Sequence, residues 1–303
     1  MTSELTTGLP TPELGRDAAA AFVTEHLAHL ICDDVRGSDE FSGGQLAADR
    51  ALAAFDVEGY ARHRNEVLPV SRRGASGLSP YVRHGLLTLR QLWDHVAGGP
   101  ERDVSKFRDE LFWQEFARHW YSRLGTKTRR GVCNALPPTA TADFDTGWDR
   151  RMACMDNTVG ELLNDGWMVN QARMWLASHW AVREGLSWQE GEDHFFRHLL
   201  DGSRAANRLG WQWTTGVGAS KHYGFSRYQV EKRAGALCNL CELNRWCPIE
   251  DWPELLQPLG VDIAPDHVVF GDGPRWGLDR DDLIGNMTRV NSGFRLSVAG
   301  DRQ

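Results

Sequence analysis

Between residues 45 and 236 the apolar residues recur at intervals of three and four, and no regular alternation of strands with helices interrupts them. This periodicity predicts helices over 45–56, 58–66, 79–97, 104–124, 150–164, 167–184, 189–200, 202–209 and 223–236, with another from 18 to 31. Phe107, Leu111, Trp113, Phe116 and Trp120 carry it in one segment, and Ala172, Trp175, Leu176 and His179 in another. Breakers at GASG (74–77), GG (98–99) and LPPTATADFDTG (136–147) separate the segments. Such a chain is expected to be all-α, which excludes a doubly wound sheet or a TIM barrel. Residues 1–40 read as an arm with a short helix, 41–250 as a helical domain and 251–303 as a C-terminal extension. In that extension DHVVFGDG and RLSVAG are either short strands or irregular tail.

Composition narrows the function. Twelve of the thirteen tryptophans lie between Trp93 and Trp252. Leucine fills a core without an N–H to satisfy, so dense indoles point either to a large aromatic ligand or interface or to an aromatic-rich helical core. The net charge of −7 argues against indiscriminate coating of nucleic acid. Residues 60–130 nevertheless hold fourteen Lys or Arg against seven Asp or Glu, which either focus an anion in a cleft or pair with the acidic remainder. No apolar run approaches the roughly 18–20 residues of a membrane helix. The N-terminus lacks a secretory pattern, so a cytoplasmic, non-membrane protein is expected. Three of the six cysteines crowd between Cys238 and Cys247. That clustering suits metal or cluster ligation in a reducing compartment better than disulfides.

Several polar residues stand on or beside apolar faces. Ser79 before Pro80 is a good helix start, and Tyr60, Arg64 and Ser76 read alone as surface or cap residues. Glu110 sits three residues from both Phe107 and Trp113, so its carboxylate is either arginine-paired or in a pocket with a perturbed pKa. Asn170 and Arg173 share a helix face, and DGSRAANRLGWQW gathers Asp201, Asn207, Trp211 and Trp213. Buried asparagine and arginine need hydrogen-bond partners, and a flat, multiply bonded polar ligand would supply them. No GxGxxG or Walker sequence is present to cradle a phosphate.

Four ordered stretches together resemble the C-terminal, FAD-binding helical domain of the DNA photolyase and cryptochrome family. They are GLSPYVRHGLLTLRQLW (77–93), FRDELFWQEFARHW (107–120), NDGWMVNQARMWLASHW (164–180) and LLDGSRAANRLGWQWTTGVG (199–218). The resemblance spans roughly residues 41–230 and implies a U-shaped FAD at the bottom of a cavity facing DNA. It implies that Tyr60, Ser76 and Ser79 lie on the diphosphate side, with Gln114 where many relatives have arginine. Asn170 and Arg173 would flank the flavin, Arg173 pairing with Asp201, and Asn207 would approach flavin N5. Glu110 and Trp113 match lesion-facing positions, and Trp211 and Trp188 match the first two members of an electron-transfer chain whose third is not identifiable.

Two departures bear on activity. The family usually precedes this domain with a Rossmann-like antenna domain, and about 40 residues are too few for one, so the flavin itself would have to harvest light. Ser203 stands where photolyases commonly carry a second aspartate, which removes an acceptor at the isoalloxazine edge.

The cysteine pattern CNLCELNRWCP suits zinc or a cubane cluster equally on geometry. The resemblance favours a [4Fe–4S] cluster, as in one bacterial branch of photolyases, with Cys154, Cys238, Cys241 and Cys247 as ligands, zinc or uncoordinated thiols as the alternatives and Cys133 as rival fourth ligand. Cys32 reads as a buried small hydrophobe. The expected activity is blue-light-driven electron transfer to a pyrimidine lesion in damaged DNA, the lesion flipping into the cavity. The alternatives are a photoreceptor or redox protein signalling to a protein partner, and an FAD-bearing fold without photochemistry.

Overall fold

The computed structural model describes residues 8–13, 15–32, 34–131, 134–136, 138, 140–143, 147–219, 221–252 and 259–260. Eleven α-helices are found among them: α1 (Arg16–His26), α2 (Gln45–Ala54), α3 (Tyr60–His63), α4 (Ser79–Arg83), α5 (Leu89–His95), α6 (Glu101–Leu124), α7 (Ala153–Asn164), α8 (Asn170–Ser178), α9 (Trp188–His198), α10 (Ala206–Thr215) and α11 (Arg227–Leu240). The one strand pairing among the described residues is a two-residue antiparallel bridge, Asn134–Ala135 with Leu259–Gly260. The architecture is all-helical, as the periodicity predicts.

The expected single helix over 79–97 is two helices. Gly85 at φ 74° turns the chain in a conformation that other residues rarely adopt. A capping box then restarts it: Thr88 Oγ1 accepts from Gln91 N at 3.2 Å, and Gln91 Oε1 accepts from Thr88 N at 2.8 Å. A box of the same kind at Ser226 and Gln229 delays the last helix to 227. The segment 202–209 starts late, at Ala206, and runs on to Thr215. The possible strands of the C-terminal extension lie outside the described residues.

Two cores meet along α6. Its first half sends Val104, Phe107 and Leu111 into a cluster built from α2–α5, with Tyr60, Tyr81 and Leu92. Its second half sends Ala117 and Trp120 against Ala205 and Leu209. Asp103 fixes the register by accepting from Gly59 N (3.0 Å) and Ala61 N (2.7 Å), which caps α3. The main core, containing Trp175, Trp180, Trp188 and Trp211, lies among α7–α11. The helix of α8 continues as a π-turn over His179–Arg183.

A buried ion network ties α9 to α10. Glu192, fully buried, accepts on one oxygen from Arg204 Nη1 (2.8 Å) and from Arg208 Nε and Nη2 (3.2 and 3.0 Å). Its other oxygen has no partner. Burial therefore raises the Glu192 pKa in spite of the two arginines. Arg208 also donates to Thr128 Oγ1 at 3.0 Å, which fastens the turn after α6 to the same network.

Candidate functional site

The site gathers around the turn between α9 and α10. Arg173, on α8, makes a two-pronged pair with buried Asp201: Nη1 to Oδ1 at 3.0 Å and Nη2 to Oδ2 at 2.8 Å. Its Nε donates to Met168 O at 3.0 Å, so the guanidinium is fixed from both sides. Leu200 N donates to Gly166 O at 2.8 Å, and His84 Nε2 lies 2.9 Å from Leu200 O. Arg83 donates to Gly202 O. These contacts draw α4 and the 166–168 turn against the 199–203 turn.

Ser79 is drawn in with them, its Oγ accepting from Trp167 Nε1 at 3.0 Å. A hydroxyl that accepts there still has its own O–H to donate. Ser76 Oγ accepts from Leu78 N at 3.3 Å, the local turn contact expected of a serine before a short helix. Tyr60 is in the core, its ring edge-on to Phe107 at 5.0 Å. Burial raises its phenol pKa, with the Glu110 carboxylate adding to the effect.

Ser203 lies in the turn before α10, its Oγ accepting from Ala205 N and Ala206 N at 3.2 and 3.3 Å. One turn on, Asn207 is buried and its Nδ2 has no partner. A buried amide without an acceptor costs about 1–3 kcal/mol, so this N–H₂ marks a place for an acceptor that the protein does not supply. Asn170 sits apart from Arg173: it is exposed, and its Nδ2 approaches Met174 Sδ at 3.5 Å.

Glu110 occupies the seam between the two cores that meet on α6. Its Oε1 faces Lys106 Nζ at 3.0 Å and Arg64 Nε at 3.4 Å, and the side chain is 37% exposed. Of the two readings of this carboxylate, pairing is the one observed. Trp113, one turn further on, is half-buried and edge-on to Phe116 at 5.8 Å, and Gln114 beside it is half-buried.

Trp211 is buried and its Nε1 lacks a partner. Its ring lies on Gly191, where a Cβ would stand only 2.2 Å from the indole. Phe195 meets the same ring edge-on at 5.0 Å. Trp188, buried on α9, is one turn before Gly191.

A second locality lies at the junction of α7 and α11. Cys154, Cys238, Cys241 and Cys247 line one cavity together with Met152, Arg227, Val230 and Ile249. Its volume, including space open to solvent, is about 340 Å³. Burial pushes the Cys154 thiol up to about 12, and the three other sulfurs add to the shift. Cys238 is pushed up to about 11, also by burial first. Cys241 Sγ lies 3.5 Å from both Ala153 N and Arg151 O. Arg227 braces the loop through Asn244 O (2.9 Å), Asn244 Oδ1 (2.8 Å) and Glu250 Oε2 (2.9 Å). Among the described residues no three His, Cys, Asp or Glu side chains are grouped so as to hold a single metal ion. Cys133 lies outside the described residues, and Cys32 is exposed, not buried as expected, because the chain beyond α1 runs over the surface.

Sequence reasoning missed the contacts made by Arg83, Trp167, Lys106 and Arg64. Arg83 and Trp167 lie within the motif stretches, and Lys106 precedes Glu110 by four residues, a spacing that signals an ion pair.

Residues 107–248 match the FAD binding domain of DNA photolyase. The chain is 31% identical over 219 residues to a deoxyribodipyrimidine photo-lyase of Thermus thermophilus, an alignment covering 70% of this chain and 45% of that protein. It is 33% identical over 187 residues to the enzyme of the same name from Alkalihalophilus pseudofirmus, covering 58% and 38%. The Synechocystis sp. PCC6803 cryptochrome shares the fold, with a TM-score of 0.61 at 23% identity over 72% of this chain and 49% of that one. So does a bacterial class III photolyase from Agrobacterium tumefaciens, with a TM-score of 0.55 at 24% identity over 65% and 44%. The chain spans less than half the length of each of these proteins. It contains an all-α FAD-binding domain homologous to that of the photolyase/cryptochrome family. No described helix is long and apolar enough to cross a membrane.

Proposed function

We propose that residues 41–250 bind one FAD non-covalently against the 199–207 turn, and that blue light drives an electron from the reduced flavin to a pyrimidine lesion in DNA. The observation that carries this reading is the Arg173–Asp201 pair beside Asn207, whose buried Nδ2 has no acceptor within the protein. A flavin ring atom supplies that acceptor. Ser79 and Ser76 would then face the diphosphate with hydroxyl donors, and Tyr60 lies in the core beside Phe107. Gln114, Asn170 and Ser203 are assigned to the flavin from the family likeness alone. The flavin supplies the light absorption and the one-electron chemistry. Glu110 and Trp113 hold the lesion at the half-exposed seam of α6, the carboxyl by hydrogen bonding and the indole by stacking. Arg64 and Lys106 hold that carboxyl in place.

The four cysteines support a [4Fe–4S] cluster. A cubane takes one thiolate at each of four irons, so its ligands border a cavity, whereas zinc draws four sulfurs to about 2.3 Å from one point. Cys154 would tie α7 to the α11 loop through the cluster, adding its binding free energy to folding.

Ser203 favours a second reading. Its hydroxyl oxygen already accepts from Ala205 N and Ala206 N and offers no carboxylate to the ring edge, so the flavin redox state would differ from that of a repair enzyme. A photoreceptor read by a protein partner would need only that light change this state. The deciding experiment is light-minus-dark repair of defined pyrimidine-dimer oligonucleotides by purified, reduced protein. Repair only in the light supports the first reading. No repair by protein holding one FAD per chain refutes it and leaves the second.

A further inference from the structure

We propose that Trp167 is a positioning residue for Ser79, setting the serine hydroxyl so that its proton is offered to a phosphate oxygen of the dinucleotide. The proposal rests on the FAD reading above and adds to it a residue that acts through another.

The chemistry follows from the direction of one hydrogen bond. An indole N–H only donates, so Ser79 Oγ, 3.0 Å from Trp167 Nε1, must accept. A serine hydroxyl left to itself turns among three staggered rotamers and serves as donor or acceptor alike. Once a fixed N–H occupies one lone pair, the O–H is left for a different group, and accepting polarises it into a better donor. Among the described residues nothing accepts from the Ser79 hydroxyl. A phosphate oxygen, which is an acceptor, fills that place.

The indole is itself held by a segment far from it in sequence. Phe41 tilts against the Trp167 ring, with centroids 5.7 Å apart, and meets Tyr81 of α4 edge-on at 6.3 Å. Ser38 Oγ donates to Asp165 O at 2.7 Å and accepts from Phe41 N at 3.1 Å, so residues 38–41 are tied to the turn that carries Trp167. Tyr81 donates from its phenol to Ser42 O at 3.1 Å, which ties the same segment to α4 and hence to Ser79. On the other side Gly166 O accepts from Leu200 N at 2.8 Å. Donor and acceptor therefore share one frame: the 38–42 segment fixes Trp167 and α4 together, and the indole cannot leave the hydroxyl without breaking contacts to Phe41 or Asp165.

Holding one of three rotamers is worth about a factor of three, and polarising the donor brings the expected contribution to about fivefold in the FAD dissociation constant, equivalent to about 1 kcal/mol. Trp167 also packs against the main core, so a role in packing alone is the competing account. The two accounts separate in a double-variant cycle, because a residue that acts through Ser79 has nothing to act on once that hydroxyl is gone.

The test measures the FAD dissociation constant of the full chain in the dark by equilibrium dialysis. Wild type that binds no FAD overturns the FAD reading, and the positioning role falls with it. Where wild type binds FAD, Trp167→Phe keeps an aromatic ring against Phe41 and deletes the N–H. It is expected to weaken binding about fivefold alone and not at all when added to Ser79→Ala. Unchanged affinity in Trp167→Phe overturns the proposal and leaves the FAD reading standing. The same loss in both backgrounds also overturns it, in favour of packing. A second measurement needs no change at Trp167: solvent exchange of its indole N–H, followed by NMR. Exchange is expected to be at least about tenfold faster in Ser79→Ala than in wild type. Equal rates would overturn the contact on which the role depends.

Discussion

Replacing Arg208 with methionine tests how the α9–α10 pair is held together. Methionine keeps much of the buried volume of a side chain that is only 5% exposed, while Glu192, at 0%, loses two of its three contacts. Breaking a buried pair in this way costs about 3–5 kcal/mol, because a charge is left without its partner. Arg204 remains on Glu192 Oε2 at 2.8 Å, so the lower end, about 3 kcal/mol, is expected. For a domain of this size that corresponds to a Tm lower by about 6–12 °C. The assay is urea unfolding followed by tryptophan fluorescence, with circular dichroism as a second probe of two-state behaviour. The sign of the pH effect follows from the raised Glu192 pKa. Protons bind the folded state more tightly, so the penalty is absent below the unfolded value and grows as pH rises towards the folded one. Loss of Arg208 raises that pKa further, so the deficit of the variant against wild type is expected to be smaller at about pH 5 than at about pH 7.5. The double variant Glu192→Gln, Arg208→Met is expected to recover much of the loss. A deficit below about 1 kcal/mol in the single variant, or a double variant no better than the single, would refute the charge argument in favour of packing alone.

Arg173→Ala strands Asp201 and is expected to lower FAD retention on gel filtration well before it changes the helical circular dichroism. Gly191→Ala places a methyl within 2.2 Å of Trp211, and an overpacking cost of about 1–3 kcal/mol should appear in unfolding together with altered Trp211 photochemistry. Glu110→Gln keeps the size of the side chain and removes its charge, so light-dependent repair should fall while flavin content and stability stay near wild type. Serine at Cys154, Cys238, Cys241 or Cys247 should abolish the roughly four irons and four sulfides expected after anaerobic purification, whereas Cys32→Ser should not. One zinc and no sulfide in wild type would replace the cluster with a mononuclear site.

The helical architecture was legible because each long helix buries a stripe of residues at three- and four-residue spacing, as Phe107, Leu111 and Trp120 do. The break at Gly85 was not, because the apolar pattern runs across it and only the φ of one glycine and a Thr–Gln box decide it. Arg173 and Asp201 could be paired from the family likeness, and the geometry agrees. Ser79 could be named, but not that Trp167 holds it, since residues 88 apart carry no local signal of contact. Asn170 shows the reverse: periodicity puts it on the face of Arg173, yet as the first residue of α8 it points to solvent. For the cysteines, spacing joined Cys238 to Cys241 and Cys247, the family likeness added Cys154, and the folded chain places all four on one cavity.

Because α6 is about 36 Å long and gives one half to each of two cores, neither core can dissolve without loosening the same rod. Glu110 and Trp113 lie where the two halves join. Amide exchange at 110–113 should therefore follow whichever core opens more readily, and the half-exposed face of the helix will be the first part of the rod to sense strain from either side. A ligand that grips this seam clamps both cores at once, so its binding should be felt as slowed exchange at both ends of α6, far beyond the atoms it touches.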